Sequence, residues 1–260
     1  MVAEPVDRAT LERFPSLRVV ANYGAGYDLV DVEACRERGV AVTNTPGVTT
    51  AATADLTLGL ILAVRRRIVV GDRFVGSGRW GSGWADEPLK GDEVGGATLG
   101  IVGLGRIGRA VAQRARGFEL RVLHTRRTPD GDPGYLPLDD LLAEADIVSL
   151  HVPLTEDTRG FIDADRLALM RDGSCLVNTS RGQVVDEPAL VAELVSGRLR
   201  AGLDVFANEP DVPRELFDLD NVVMTPHLGT ATQATREAMT RVLVDNLLAV
   251  ERGEEPPNLV

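Results

Sequence analysis

Lys90 is the only lysine among 28 basic residues in this chain of 260. Schiff-base catalysis, or a phosphate loop built on lysine, would rest on that one residue, which lies in neither setting. Cysteine is scarce too. Cys35 and Cys175 are too few for a disulfide framework, and each sits in an apolar segment that reads as core. No apolar run approaches the roughly 18 residues of a membrane span. The longest, Leu56 to Val64, is closed by Arg65-Arg66-Arg67 and reads as a buried helix. No basic region followed by an apolar core opens the chain, so a secretory signal is not expected and the cytoplasm is the expected location. A net charge of −11 argues against phosphate backbones as partners, since like charges release no counterions on meeting. Neither nucleic acid, a membrane nor a metal is expected.

What is present is alternation. From Ala97 onward, short apolar runs alternate with helix-length amphipathic segments, the pattern of βαβ units and a parallel sheet. The strand candidates are Leu99–Val102, Leu120–His124, Ile147–Leu150, Leu176–Thr179, Gly202–Phe206 and Val222–Thr225. Six such strands predict a doubly wound dinucleotide-binding (Rossmann) sheet. Ahead of them lies a smaller α/β piece: a helix near Ala9–Arg13, a strand at Arg18–Ala21, a helix at Val30–Arg38 and a strand at Val40–Asn44. One long helix is expected from about Ala51 to Ser77, with Leu56, Leu60, Ala63 and Val64 at helical spacing. The glycine-rich segment from Gly78 to Gly96 reads as an exposed arm or linker. An amphipathic helix is expected over Thr232–Arg252, with a tail that packs back on the first part. The expected domains are therefore 1–50, 51–230 with the interdomain helix and arm, and 231–260 returning to the first.

Gly103-Leu-Gly105-Arg106-Ile107-Gly108 follows directly on the first of the six strands and opens a helix over Arg109–Arg116. In that context the glycines have separate tasks. Gly103 permits the tight turn, Gly105 lets backbone approach a pyrophosphate, and Gly108 lets the helix pack on the strand. The next strand ends His124-Thr125-Arg126-Arg127, where a carboxylate would bind a ribose 2′-hydroxyl. No carboxylate stands there, and two guanidinium groups can clamp a 2′-phosphate. NADP(H) is therefore the expected cofactor, with NAD(H) the other possibility. His124 itself is expected at the surface near the adenosine.

Three later runs each end against one ionisable residue: Cys175–Asn178 before Arg181, Gly202–Phe206 before Glu209, and Val222–Thr225 before His227. Parallel strands align their carboxyl ends on one crevice, so these residues are expected to converge. Reduction of a 2-keto acid needs a cation for the carbonyl and carboxylate oxygens, a proton donor, and a group that keeps the donor charged. Arg181, His227 and Glu209 match these needs in turn.

The same residues carry a resemblance. Gly103–Gly108, His151-Val-Pro-Leu-Thr155, Asn178-Thr-Ser-Arg-Gly182, Leu203-Asp-Val-Phe-Ala-Asn-Glu-Pro210 and Thr225-Pro-His-Leu-Gly-Thr230, with Asn22-Tyr-Gly-Ala-Gly-Tyr-Asp28 and Thr43-Asn-Thr-Pro-Gly47, resemble motifs of the D-isomer-specific 2-hydroxyacid dehydrogenases. The look is nearest to the glyoxylate and hydroxypyruvate reductases of that family. The resemblance implies a Rossmann domain beside a flavodoxin-like substrate domain, and a homodimer acting on a small 2-keto or 2-hydroxy acid. It implies Arg181 as the substrate-binding catalytic arginine, Glu209 as partner carboxylate and His227 as proton donor. The backbone of Gly24, Ala25 and Gly26 would hold the substrate carboxylate, and Trp84 would reach into the other subunit's pocket. Arg106 and Ile107 would cover the pyrophosphate; Val152, Pro153, Thr158, Thr179 and Ser180 would line the cofactor cleft. Asp204 would meet the nicotinamide carboxamide and Gly229 would abut the ring. His151 is given no acid role and is expected to be structural. The resemblance also implies a further segment ahead of residue 1, so the substrate domain is expected to be incomplete at its N-terminal side. A non-catalytic dinucleotide-sensing protein on the same scaffold, or an inactive truncated paralogue, is the alternative.

Overall fold

Along the apolar runs, successive side chains go to opposite faces, as strand geometry requires. Leu99, Ile101, Ile147, Cys175 and Val177 pack into one buried cluster, while Val102, Val148, Leu150 and Leu176 pack into another. Both faces of these strands are therefore covered, which is why they read as continuous apolar runs rather than as alternating ones.

The computed structural model describes residues 5–81, 89–129 and 131–260. The chain divides into two compact units, one holding the residues up to Ala52 together with Thr230–Val260, the other Thr53–Gly229.

In chain order the helices are α1 (Arg8–Arg13), α2 (Val32–Glu37), α3 (Thr50–Arg65), α4 (Ile68–Gly76), α5 (Arg106–Arg116), α6 (Leu138–Glu144), α7 (Ala164–Leu169), α8 (Glu187–Val195) and α9 (Gln233–Glu251). The strands are β1 (Val19–Ala21), β2 (Ala41–Thr43), β3 (Thr98–Val102), β4 (Arg121–Thr125), β5 (Ile147–Leu150), β6 (Cys175–Asn178), β7 (Arg200–Leu203) and β8 (Val222–Met224).

In the first unit β1 and β2 pair in parallel, and Leu11, Ala34, Cys35, Val40 and Val42 form the core. Asp31 caps α2 by accepting the Ala34 N–H at 2.8 Å, and Thr232 caps α9. Asn246, fully buried on α9, donates to the Asn44 carbonyl and accepts from the Asn258 N–H. Val260 N–H in turn bonds the Val42 carbonyl, so the tail lies along β2.

In the second unit all pairings are parallel, and the strand order is β4-β3-β5-β6-β7-β8. Helices α3 and α5 supply Leu58, Ile61, Val64, Val111 and Ala115 to one face of the sheet; α6, α7 and α8 supply Leu141, Leu142, Leu167, Leu190 and Leu194 to the other. This is the doubly wound arrangement. The chain passes β3 to β4 on one side, then crosses to β5 on the other, placing the reversal of strand order at the carboxyl ends of β3 and β5.

Three expectations are corrected. The long helix is two helices, because Arg67 takes a left-handed conformation (φ 51°) between α3 and α4. The Arg65 carbonyl accepts the Asp92 N–H at 2.8 Å, and Gly91 lies so close to Arg65 that a Cβ would sit 2.4 Å from that oxygen. The incoming chain thus ties down the end of α3. Residues 91–96 are therefore anchored rather than a free arm: Val94 is buried and Asp92 pairs with Arg200, while Gly91, Glu93, Gly95 and Gly96 are exposed as expected. The strand β7 stops at Leu203, three residues short of the expected Phe206, with the Asp204 N–H making a last bond to the Asn178 carbonyl. Both cysteines are buried thiols, as expected, and burial pushes Cys175 up to about 12.

Candidate active site

The strand β6 ends at Asn178, whose buried amide closes the following turn. Its Oδ1 accepts the Ser180 N–H at 3.0 Å and the Ser180 hydroxyl at 2.8 Å, while its Nδ2 donates to the Arg181 carbonyl at 2.8 Å. The backbone carrying Arg181 therefore has little freedom. Gly182 then passes against the backbone beyond β7, where a Cβ would stand 1.9 Å from the Phe206 carbonyl carbon. Only glycine fits there. Gln183 adds a bond to the Ala207 carbonyl at 2.7 Å.

From this second loop comes Glu209. One oxygen of its carboxylate accepts the Phe206 N–H at 3.1 Å, and the other lies 2.8 Å from Nδ1 of His227. Burial pushes Glu209 up, but the hydrogen bond to His227, the His227 charge, the Phe206 N–H and the Arg181 charge outweigh it, so its pKa lies below the ordinary value. Arg181, Glu209 and His227 are thus brought together, as strand-end convergence predicts. An ionised carboxylate only accepts, which places hydrogen on Nδ1 and leaves Nε2 as the ring position facing a reactant.

His227 sits in the left-handed region at φ 54°. Asp204 braces that conformation: its carbonyl accepts the His227 N–H at 2.9 Å, and its carboxylate accepts the Thr225 hydroxyl, the Leu228 N–H and the Gly229 N–H at 2.6, 2.6 and 2.8 Å. Burial raises the Asp204 pKa against these bonds. Two of its partners flank His227 on the carboxyl side and one on the amino side.

At the carboxyl end of β3 the three glycines of the loop have different surroundings. Gly103 is at φ 97°, and a Cβ there would lie 2.8 Å from the His151 carbonyl; one on Gly108 would lie 2.2 Å from the Gly103 carbonyl. Gly105 has open space instead, and no side chain caps α5, whose first turn begins at Arg106 and Ile107. Open room over an uncapped helix N-terminus suits a pyrophosphate. Thr125 is buried, and its carbonyl holds the Gly103 N–H at 3.0 Å. Arg126 is half-buried with Nε on the Thr128 carbonyl; Arg127 is exposed, 3.8 Å from Asp157.

Past β5 the loop through Val152 and Pro153 is closed by Thr158, whose hydroxyl bonds the Pro153 carbonyl at 2.6 Å. Thr179 and Ser180 lie at the end of β6, and Gly229 follows the His227 turn. In the first unit, the carbonyls of Gly24 and Gly26 accept from Asn22 and that of Ala25 from Asn44. Among the described residues the N–H groups of Gly24, Ala25 and Gly26 have no protein acceptor. Trp84 lies outside the described residues.

His124 departs from expectation. It is buried and edge-on to Tyr135, because Tyr135 bridges β4 in parallel and covers it. His151 bonds the buried Ser149 hydroxyl at 2.6 Å, and burial pushes its pKa down to about 4. Asn178 and Gly182 were read from sequence as motif residues without a role of their own, and Thr53 and Thr57 were not singled out. The two threonines stand four apart on the buried face of α3, and that polar spacing was the available signal. No cluster of metal-ligating side chains occurs among the described residues, and no helix there is long and apolar enough to cross a membrane.

Residues 58–229 match the D-isomer specific 2-hydroxyacid dehydrogenase, NAD binding domain. Over its full length the chain is 49% identical to a glyoxylate reductase from Pyrococcus horikoshii, covering 81% of that protein. A solved protein from Thermus thermophilus, TT0316, is 50% identical with a TM-score of 0.93, over 99% of this chain and 83% of that one. An NADPH-dependent glyoxylate/hydroxypyruvate reductase from Sinorhizobium meliloti, solved with NADP and malonate, is 39% identical with a TM-score of 0.91, over 99% and 82%. The chain belongs to the D-isomer specific 2-hydroxyacid dehydrogenase family.

Proposed function

We propose that this member of the family reduces a small 2-keto acid of the glyoxylate or hydroxypyruvate class, with NADPH as the preferred reductant. The observation that carries the reading is the His227–Glu209 pair at 2.8 Å within the field of Arg181, at the carboxyl edge of a sheet that also presents the glycine loop.

A bound nicotinamide supplies the hydride. The residues of this chain do the rest. Arg181 holds the carbonyl and carboxylate oxygens of the substrate and polarises the carbonyl. His227 gives the Nε2 proton to the oxygen as the carbonyl carbon is reduced, and Glu209 holds the imidazole in place through Nδ1. The N–H groups of Gly24, Ala25 and Gly26 take the substrate carboxylate. Gly103, Gly105 and Gly108 with the start of α5 take the pyrophosphate; Arg126 and Arg127 take the 2′-phosphate. Asp204, Thr179, Ser180 and Gly229 face the nicotinamide end.

In this reading the first unit is the substrate side and the second the dinucleotide side. The protein works as a cytoplasmic homodimer; apolar Ile68, Val75 and Trp80 lie exposed on and after α4, which supports a second copy there. The test is to follow NADPH and NADH oxidation with glyoxylate, hydroxypyruvate and pyruvate. Turnover of glyoxylate or hydroxypyruvate with kcat/KM higher for NADPH is expected. Cofactor binding without turnover of any acid would overturn the reading.

A further inference from the structure

Threonine hydroxyls on the buried face of a helix need partners, because a buried hydroxyl left unbonded is destabilising. On α3, Thr53 and Thr57 are both buried, within a packed layer of Ala54, Leu58, Leu60 and Ile61. Their hydroxyls go to the loops that follow β6 and β8. Thr57 Oγ1 lies 2.9 Å from Thr179 Oγ1 and 2.8 Å from the Thr53 carbonyl. Thr53 Oγ1 lies 3.2 Å from the Gly229 carbonyl.

The hydrogens in this chain are determined by counting. A hydroxyl has one hydrogen to give, and a carbonyl oxygen only accepts. The Thr57 hydrogen therefore lies on the Thr53 carbonyl, and Thr57 accepts from Thr179. Thr179 has then spent its only hydrogen inward and turns lone pairs to whatever lies in front of it. It stands two residues before Arg181. Gly229, held by Thr53 at its carbonyl and by Asp204 at its N–H, stands two residues after His227.

We propose that Thr57 and Thr53 are positioning residues for the reaction: one helix face fixes the loops that carry Arg181 and His227 and sets the hydroxyl of Thr179 as a pure acceptor. Neither threonine is among the reacting groups. Each acts through its neighbour, Thr57 through the turn that Asn178 closes and Thr53 through the turn that Asp204 braces. The inference rests on the proposed roles of Arg181 and His227.

Thr57→Val removes the hydroxyl at nearly constant volume, and Thr57→Ser keeps the hydroxyl while losing a methyl. Displacing a reacting group by an ångström costs on the order of 100-fold in rate. Thr57→Val is expected to lower kcat at least tenfold in the folded enzyme, and Thr57→Ser is expected to restore it to within about threefold. Thr53→Val is expected to act in the same direction. A double-mutant cycle of Thr57→Val with Thr179→Val is expected to be non-additive, since each removes the same bond. The comparison uses whichever 2-keto acid and cofactor the parent enzyme turns over fastest. A parent active on an acid other than glyoxylate or hydroxypyruvate would then count against the proposed substrate and leave the positioning test intact. Thermal unfolding is recorded for every variant. Unchanged kcat in a folded Thr57→Val enzyme would overturn the proposal, as would Thr57→Ser falling as far as Thr57→Val, since packing alone would then be at work. If Thr57→Val does not fold, Thr53→Val decides by the same criterion.

Discussion

Glu209 joins its two carboxylate oxygens to different parts of the site: Oε2 to Nδ1 of His227 at 2.8 Å, and Oε1 to the backbone N–H of Phe206 at 3.1 Å. The second bond decides where the first can be. A carboxylate on a loop would otherwise rotate, and rotation would release the imidazole.

The pH dependence follows from the same pair. The folded-state pKa of Glu209 lies below its unfolded value, so the pair is intact above the unfolded value and is lost as pH falls through the folded one. The acid limb of kcat/KM is expected below the ordinary glutamate value of about 4.3. Glu209→Gln keeps the shape but not the charge, and kcat/KM at neutral pH is expected to fall about 100-fold or more. A profile whose acid limb sits above 5 in the parent enzyme would contradict this.

In the proposed reading, cofactor choice rests on Arg126 and Arg127. Among the described residues Arg127 pairs with Asp157, at 3.8 Å and with both side chains exposed, a pairing weak enough to yield to a phosphate. Arg127→Ala is expected to reduce the NADPH to NADH ratio of kcat/KM by about tenfold, through loss of one charge-assisted contact. The paired measurement with both cofactors checks it, because a general defect would lower both values equally.

Stability in acid is expected to depend on His151. Burial holds its folded pKa at about 4, whereas the unfolded residue titrates near 6.5. The unfolded chain therefore binds this proton first, and stability is expected to decline as pH falls from 6.5 towards 4, by on the order of 3 kcal/mol. Urea midpoints of the parent and His151→Asn across that range test it. The variant should show a flatter curve, and parallel curves would remove His151 from the account.

Gly182→Ala is expected to be severe. No rotamer relieves a Cβ placed 1.9 Å from a backbone carbon, so the two loops must separate. A loss of roughly 3 kcal/mol or more, and a midpoint lowered by about 10 °C, is expected by calorimetry. Activity should fall with it, since the Arg181 and Glu209 loops lose their shared seat.

The parallel sheet and the glycine loop were legible because they depend on local rules: apolar runs of strand length, and glycines whose absent side chains leave room for backbone. The convergence of Arg181, Glu209 and His227 was legible because parallel strands put their ends on one edge. The break after α3 was not, because it is imposed by Gly91 and Asp92, 26 and 27 residues beyond Arg65. Burial of His124 was missed for a related reason. The segment after Gly134, where Tyr135 bridges β4 at His124, lies against it, and nothing in the strand itself marks that contact. Asn178 and Thr57 were invisible as site residues because their work is done on backbone and hydroxyl groups that no charge pattern marks.

The strands that deliver Arg181, Glu209 and His227 are β6, β7 and β8, consecutive neighbours, yet the glycine loop comes from β3, two strands away in the sheet from β6. Every one of these pairings joins segments distant in the chain, and such contacts form late in folding because loop closure must precede them. The His227–Glu209 hydrogen bond is therefore a reporter of completed assembly. Its proton resonance should appear only after the last strands have docked, which makes recovery of turnover a measure of how much of the refolded sheet is correctly closed.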